Sequence, residues 1–303
     1  MTSLIGNAPV DGVDVAALLG IPISAEQERA VQAPLKPCAV IAGAGTGKTT
    51  VMAARVVWLV ASRLVSPEEI LGLTFTNKAT AELSERIESN LTRVGLLTSE
   101  QPRPTVATYD SFAGTLVNDY GAWDGISTGA HLITGARAYQ LAAEVVMGLD
   151  KAPLAATHMG PTFIAQAVVK LAGAMASHDA SPGKVRRADA RWRQMLLAAP
   201  TKRGGDRYAE IYKWLSRGDD REELLHLVAA DPNRKKERGL VEFGDRMVQA
   251  LHLVTHHPRV GEELRARYRV VLLDEYQDTS SAQADVLAAL VSGPDSGPGR
   301  GPA

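Results

Sequence analysis

Two short stretches of this 303-residue chain hold the residue types that phosphoryl chemistry requires. The first, residues 42 to 50, reads Ala-Gly-Ala-Gly-Thr-Gly-Lys-Thr-Thr. Gly43, Gly45 and Gly47, with the small Ala44 between them, let the backbone curl so that its N–H groups and the positive end of a following helix face one anion. Thr46 and Thr50 lie in the same cradle, Lys48 reaches the β- and γ-phosphates of a nucleoside triphosphate, and the Thr49 hydroxyl faces a magnesium ion. Ala42 stands where the usual spacing has its first glycine. The second stretch, Asp274-Glu275, closes the apolar run Tyr268–Leu273. There one carboxylate can hold Mg2+ beside Thr49 while the next orients or deprotonates a water attacking the γ-phosphate. Each has a plain alternative, a glycine-rich turn and a solvated acidic turn, and their presence together in one chain weighs against both.

Elements must place these groups. Cys38-Ala39-Val40-Ile41 reads as the strand entering the loop, and a helical pattern starts at Val51, with Trp58 on its core face. Ser24 with Gln27 forms a capping-box pattern; Gln27, 21 residues before Lys48, equally offers one donor and one acceptor to an adenine edge, and the sequence leaves both readings open. Ser66-Pro67-Glu68-Glu69 starts a helical turn that leads into a buried strand, residues 70 to 75. A helix over Ala81–Ile87 follows. A strand at Thr105–Thr108 then ends in Tyr109-Asp110-Ser111-Phe112 and enters another helix. This alternation predicts an α/β fold, a parallel, doubly wound sheet with ligands at the carboxyl ends of its strands.

From about Gly114 to Arg238 helical stretches replace the strands, among them Arg137–Met147 and Pro161–Met175, with loops at 181 to 183 and 200 to 206. Lys48 and Asp274 are 226 residues apart, more than neighbouring βα units need at about 30 residues each, so the helical stretch is expected as an insertion. The expected organisation is an irregular lead-in over 1–22, a first part of the nucleotide lobe over 23–113, an all-helical insertion over 114–239, a second part of the lobe over 240–290, and a disordered Gly/Pro tail over 291–303.

Composition sets the outer limits. An apolar content of 45% with 33 basic and 34 acidic residues describes a globular chain of about two domains. A single cysteine, Cys38, excludes an internal disulfide framework and suits a cytoplasmic setting. No leader pattern and no 18-residue apolar run occur, so no membrane association is expected. The net charge of -1 is uneven: Lys184–Arg238 holds 15 Lys and Arg against 9 Asp and Glu. That excess suits either an arm over a polyanion or a solvated, salt-laced helical face. His252, His256 and His257 show no metal-ligand spacing and read as surface groups.

Five blocks meet a known family: residues 23–31 (Ile-Ser-Ala-Glu-Gln-Glu-Arg-Ala-Val), 42–49, 73–83 (Leu-Thr-Phe-Thr-Asn-Lys-Ala-Thr-Ala-Glu-Leu), 107–112 and 272–279 (Leu-Leu-Asp-Glu-Tyr-Gln-Asp-Thr). In order and spacing they resemble the amino-terminal half of UvrD/Rep-type superfamily 1 DNA helicases. Residues 240–245 look like the point where that family's helical insertion returns to the first lobe. The resemblance implies a RecA-like P-loop NTPase lobe, ATP and Mg2+ as cofactors, and ATP-driven 3′-to-5′ translocation on single-stranded DNA with strand separation. By position Gln27 reads adenine, Lys48 and Thr49 hold phosphates and metal, Asp274 the metal and Glu275 the water, and Gln277 senses the γ-phosphate. Phe75, Thr76, Asn77, Tyr109 and Ser111 are implied at the DNA. Phe75 can stack on any base, or can simply close a strand in the core.

Three departures qualify the resemblance. Asp110 stands where the family has histidine, a variant that resembles the actinobacterial helicase-nuclease motor subunits related in role to RecB; this implies a second motor subunit as partner. No nuclease module accompanies it. No second-lobe motif follows residue 290 either, so the expectation is a truncated motor with weak ATP binding and slow turnover. A non-catalytic DNA-binding or partner module is the other reading.

Overall fold

The computed structural model describes residues 14–20, 22–43, 45–127, 129–149, 160–202 and 205–292. The first element is helix α1, Val15–Leu19, inside the expected irregular lead-in. Asp14 caps it by accepting from the Ala17 N–H, Gly20 closes it in the left-handed region, and Val15 and Leu19 are buried. That Asp-to-Gly bracket around apolar residues is a helix signal. Helix α2, Ala25–Val31, starts with the capping box of Ser24 and Gln27. No strand forms over residues 38–41: among the described residues no other segment pairs with them, and Val40 is 52% and Ile41 97% exposed. An apolar run becomes a strand only where a neighbouring edge takes its backbone groups.

Helix α3, Lys48–Ala61, buries Ala53, Ala54, Val56, Val57, Leu59 and Val60. Each such Val or Leu contributes roughly 1.5–3 kcal/mol. Trp58 is partly buried against the same core. A 3-10 turn at Pro67–Glu69 leads into β1, Ile70–Thr74, all five residues buried. Helix α4 runs over Asn77–Arg93, longer at both ends than expected; the Thr76 hydroxyl sets its earlier start by accepting from the Ala79 N–H. Strand β2, Thr105–Thr108, enters helix α5, Tyr109–Tyr120.

The helical stretch opens with a two-residue strand, β3, His131–Leu132, and continues with α6, Gly135–Met147, and α7, Pro161–Ser177. Helix α8, Pro182–Ala198, occupies the expected loop at 181–183, since Ser181 caps it and Pro182 takes its first position. Helix α9, Ala209–Glu237, is followed by β4, Leu240–Val241, which pairs in parallel with β3. Helices α10, Phe243–His256, and α11, Pro258–Arg267, precede β5, Val270–Leu273, and α12, Ser281–Ser292. The tail beyond residue 292 lies outside the described residues. Among those, no helix is long and apolar enough to cross a membrane.

The main sheet is parallel with order β2-β1-β5; β1 pairs Leu71 with Thr105 on one side and with Val271 on the other. The chain divides into two compact units. The first comprises residues 1–112, 257–279 and 289–303, and the second residues 113–256 and 280–288. Thus β4 and α10 fall with the second unit rather than with the sheet, as the packing of α10 on α7 explains.

Candidate functional site

The glycine loop occupies the N-terminus of α3 within the first unit. Gly45 and Gly47 adopt φ of +76° and +85°, the left-handed region that glycine alone enters without strain. A Cβ on Gly47 would stand 3.2 Å from Gln27 Nε2. No side chain caps α3, so its first N–H groups remain open to an anion. The Thr46 hydroxyl donates to the Gly43 carbonyl (2.8 Å), and Gln27 Nε2 donates to the Thr46 carbonyl (3.0 Å). Gln27 is therefore a capping-box residue that also pins the loop, with one amide hydrogen and one oxygen lone pair left over. Ala44 lies outside the described residues.

Lys48 bridges the two stretches. Its ammonium lies 3.4 Å from the Ala42 carbonyl and 3.8 Å from Glu275 Oε1. Strand β5 delivers the acids, with the Asp274 N–H bonded to the Leu73 carbonyl of β1 (2.9 Å). Glu275 takes φ +49°, a strained conformation for a residue with a Cβ. Gln277 Nε2 donates to Glu275 Oε2, and the Asp278 N–H to the Glu275 carbonyl. Desolvation, then the adjacent Glu275, push the Asp274 carboxyl above the usual carboxylate range, against the pull of Lys48. A divalent cation would offset both causes, and Asp274 with Thr49 offers the hard oxygen donors that Mg2+ prefers. Among the described residues no group of three or more His, Cys, Asp or Glu could hold a metal by itself.

Phe75, partly exposed, packs on Tyr109 with ring centroids 5.1 Å apart. Tyr109 is only 4% exposed, so it backs Phe75 rather than presenting its own face. Burial raises the pKa of its hydroxyl, which faces Thr279 at the end of the acidic turn. Thr76 and Asn77 are exposed at the start of α4, with the Thr76 hydroxyl engaged by the Ala79 N–H (3.1 Å). The exposed Ser111 is tied to Thr108 Oγ1 through its N–H (3.0 Å) and its hydroxyl (2.9 Å). Asp110 is half-buried, and desolvation raises its pKa.

Two positioning arginines escaped sequence reading. Arg55 donates to the carbonyls of Val31 (2.8 Å) and Ala33 (2.7 Å), tying the end of α2 to α3, and Arg86 donates to Thr50 Oγ1 (2.7 Å). Nothing local marks either one; their partners are 24 and 36 residues away.

The sequence pattern of the UvrD/REP helicase N-terminal domain family matches residues 23–296. The chain is 27% identical over 274 residues to the ATP-dependent DNA helicase UvrD1 of Mycobacterium leprae, covering 89% of this chain and 30% of that protein. It is 26% identical to DNA helicase II of Rickettsia typhi (88% and 35%) and 25% identical to a probable DNA helicase of Mycoplasma pneumoniae (89% and 44%). The chain thus spans about a third of the length of the first two curated relatives. On a family match over most of its length, around the site just described, this chain belongs to the UvrD/REP helicase N-terminal domain family.

Proposed function

We propose that the first unit is the ATP- and single-stranded-DNA-binding lobe of an ATP-dependent, cytoplasmic DNA helicase that moves 3′ to 5′, and that the second is a helical subdomain inserted into it. The observation that carries this reading is the meeting of Lys48 with Glu275, 227 residues later, at the mouth of the glycine loop. A triphosphate entering the loop offers Lys48 more negative charge than Glu275 does. The existing pair, with side chains 32% and 40% exposed, is worth at most about 1 kcal/mol and yields readily. Glu275, released, becomes free to take a proton from the attacking water, and Gln277, bonded to it, holds its orientation. Asp274 and Thr49 would hold Mg2+, which neutralises charge on the phosphate oxygens. Phe75, rigid on Tyr109, supplies a stacking face for a base.

The test is direct binding by the whole chain. Lys48→Ala should abolish nucleotide binding while the protein stays folded. Phe75→Ala should lower affinity for a single-stranded oligonucleotide by roughly tenfold and leave nucleotide binding intact. Unchanged nucleotide binding by Lys48→Ala would overturn the assignment.

A further inference from the structure

Helix α10 ends in two histidines whose rings are held in a defined arrangement. His252 and His256 are four residues apart, so both stand on one face of the helix in its last two turns. Their imidazoles stack, with centroids 3.9 Å apart and planes 17° from parallel, and both residues are exposed.

The partners of the rings decide which nitrogen carries the proton. His252 Nδ1 lies 2.8 Å from Asp124 Oδ2, at the end of the 3-10 turn Gly121–Asp124. His256 Nδ1 lies 3.0 Å from the His252 carbonyl and 3.0 Å from the Thr255 hydroxyl, which itself donates to the Leu251 carbonyl (2.8 Å). A carboxylate and a carbonyl can only accept, so in each neutral ring Nδ1 is the donor and Nε2 keeps its lone pair. Among the described residues, neither Nε2 makes a hydrogen bond or an ion pair.

Two basic nitrogens on adjacent rings make a chelate. A tetrahedral ion with bonds of about 2.0–2.1 Å to nitrogen holds two such atoms roughly 3.3 Å apart, a spacing close to that of the stacked rings. A four-residue interval on a helix is the one by which two histidines share a zinc ion. Asp124 adds the support such ligands need, since a carboxylate on the other ring nitrogen fixes the tautomer and makes Nε2 more basic. The C-terminal end of α10 contributes the negative end of the helix dipole. Imidazole suits Zn2+ and Cu2+, whereas Mg2+ prefers oxygen, so this donor set discriminates against the ion expected at the glycine loop.

We propose that His252 and His256 form a two-nitrogen site for a divalent transition-metal ion, Zn2+ or Cu2+, with water completing the coordination and Asp124 as a positioning residue. A bound ion polarises the Nδ1–H of His252 and tightens its bond to Asp124, bracing the turn against α10. All three residues belong to the second unit, so the site does not depend on the nucleotide reading of the first.

The test uses the whole chain without an affinity tag, with Mg2+ in excess and no nucleotide, titrated with Zn2+ by calorimetry. The parent should bind one equivalent, and His252→Gln and His256→Gln should each abolish that binding. His178→Gln should leave it intact, and Asp124→Asn should weaken it by about tenfold. Zn2+ should raise the melting temperature of the parent and of neither His252→Gln nor His256→Gln, whose metal-free melting temperatures should stay near the parent's. With Cu2+, the electron paramagnetic resonance spectrum of the parent should show coupling to two nitrogens, and either histidine variant should lose that pattern. Absence of binding by the parent, binding that survives either histidine variant, or an Asp124→Asn affinity equal to the parent's would overturn the proposal.

Discussion

Lys48 and Lys235 each face carboxylates, and the two sites are built in opposite ways. In the first unit, Lys48 lies 3.8 Å from a single carboxylate, with about a third of its side chain in solvent. In the second, Lys235 is 5% exposed and sits 2.7 Å from Glu242 and 2.8 Å from Asp245, which also accepts the Glu242 N–H (3.0 Å). A loose, hydrated pair costs little to break and leaves the ammonium available to a ligand. A short, desolvated triad costs much to break and fixes the junction of α9, β4 and α10. The same two residue types thus form a loose, solvent-accessible pair in one place and a clamp in the other, decided by burial and partner number.

The comparison can be broken from either side. The largest effect is expected for Lys48→Ala, which should abolish nucleotide binding, and any ATP turnover with it, while shifting the melting temperature very little. Lys235→Met should do the opposite, destabilising the second unit by about 2–4 kcal/mol in denaturant melts and leaving nucleotide binding in place. If Lys48→Ala instead unfolds the chain, or Lys235→Met leaves its stability unchanged, the distinction collapses.

A smaller effect is expected for Gly47→Ala. Its φ of +85° and the approach to Gln27 should cost about 1–2 kcal/mol and loosen the loop, read as weaker nucleotide binding with a modest stability loss.

The smallest is a pH effect at Asp274. Because burial and Glu275 raise its folded pKa, the folded state holds that proton more tightly than the unfolded chain. The resulting stabilisation is full below the unfolded value and lost as pH rises through the folded one. Mg2+ competes for the same site, so thermal stabilisation by Mg2+ with nucleotide should shrink as pH falls and Asp274 takes up its proton, and Asp274→Asn should remove that dependence.

What the sequence discloses follows the range of the forces involved. The glycine loop, the acidic turn, the caps at Ser24 and Ser66 and strand β1 are legible because each is specified by adjacent residues. The α1 helix carries the same kind of signal in Asp14 and Gly20, within a stretch otherwise weak in pattern. Residues 38–41 fail for another reason: a four-residue apolar run carries no information about which edge, if any, will pair with it. The Lys235 clamp and the ion pairs between α8 and α9 join residues up to 36 apart, so the segment's net charge could not show which cations are neutralised. Lys48 meeting Glu275 was legible despite 226 intervening residues, because each half carries its own local signature.

The central claim is that Lys48 and Glu275 form a site for ATP chemistry coupled to single-stranded DNA. It is tested most directly by measuring ATP hydrolysis and binding, with and without a single-stranded oligonucleotide, for the whole chain and for Glu275→Gln. Glu275→Gln should bind ATP at least as tightly as the parent, since the charge competing for Lys48 is gone, and whatever DNA-stimulated turnover the parent shows should be lost. Turnover in Glu275→Gln equal to the parent's, or loss of ATP binding in that variant, would contradict it.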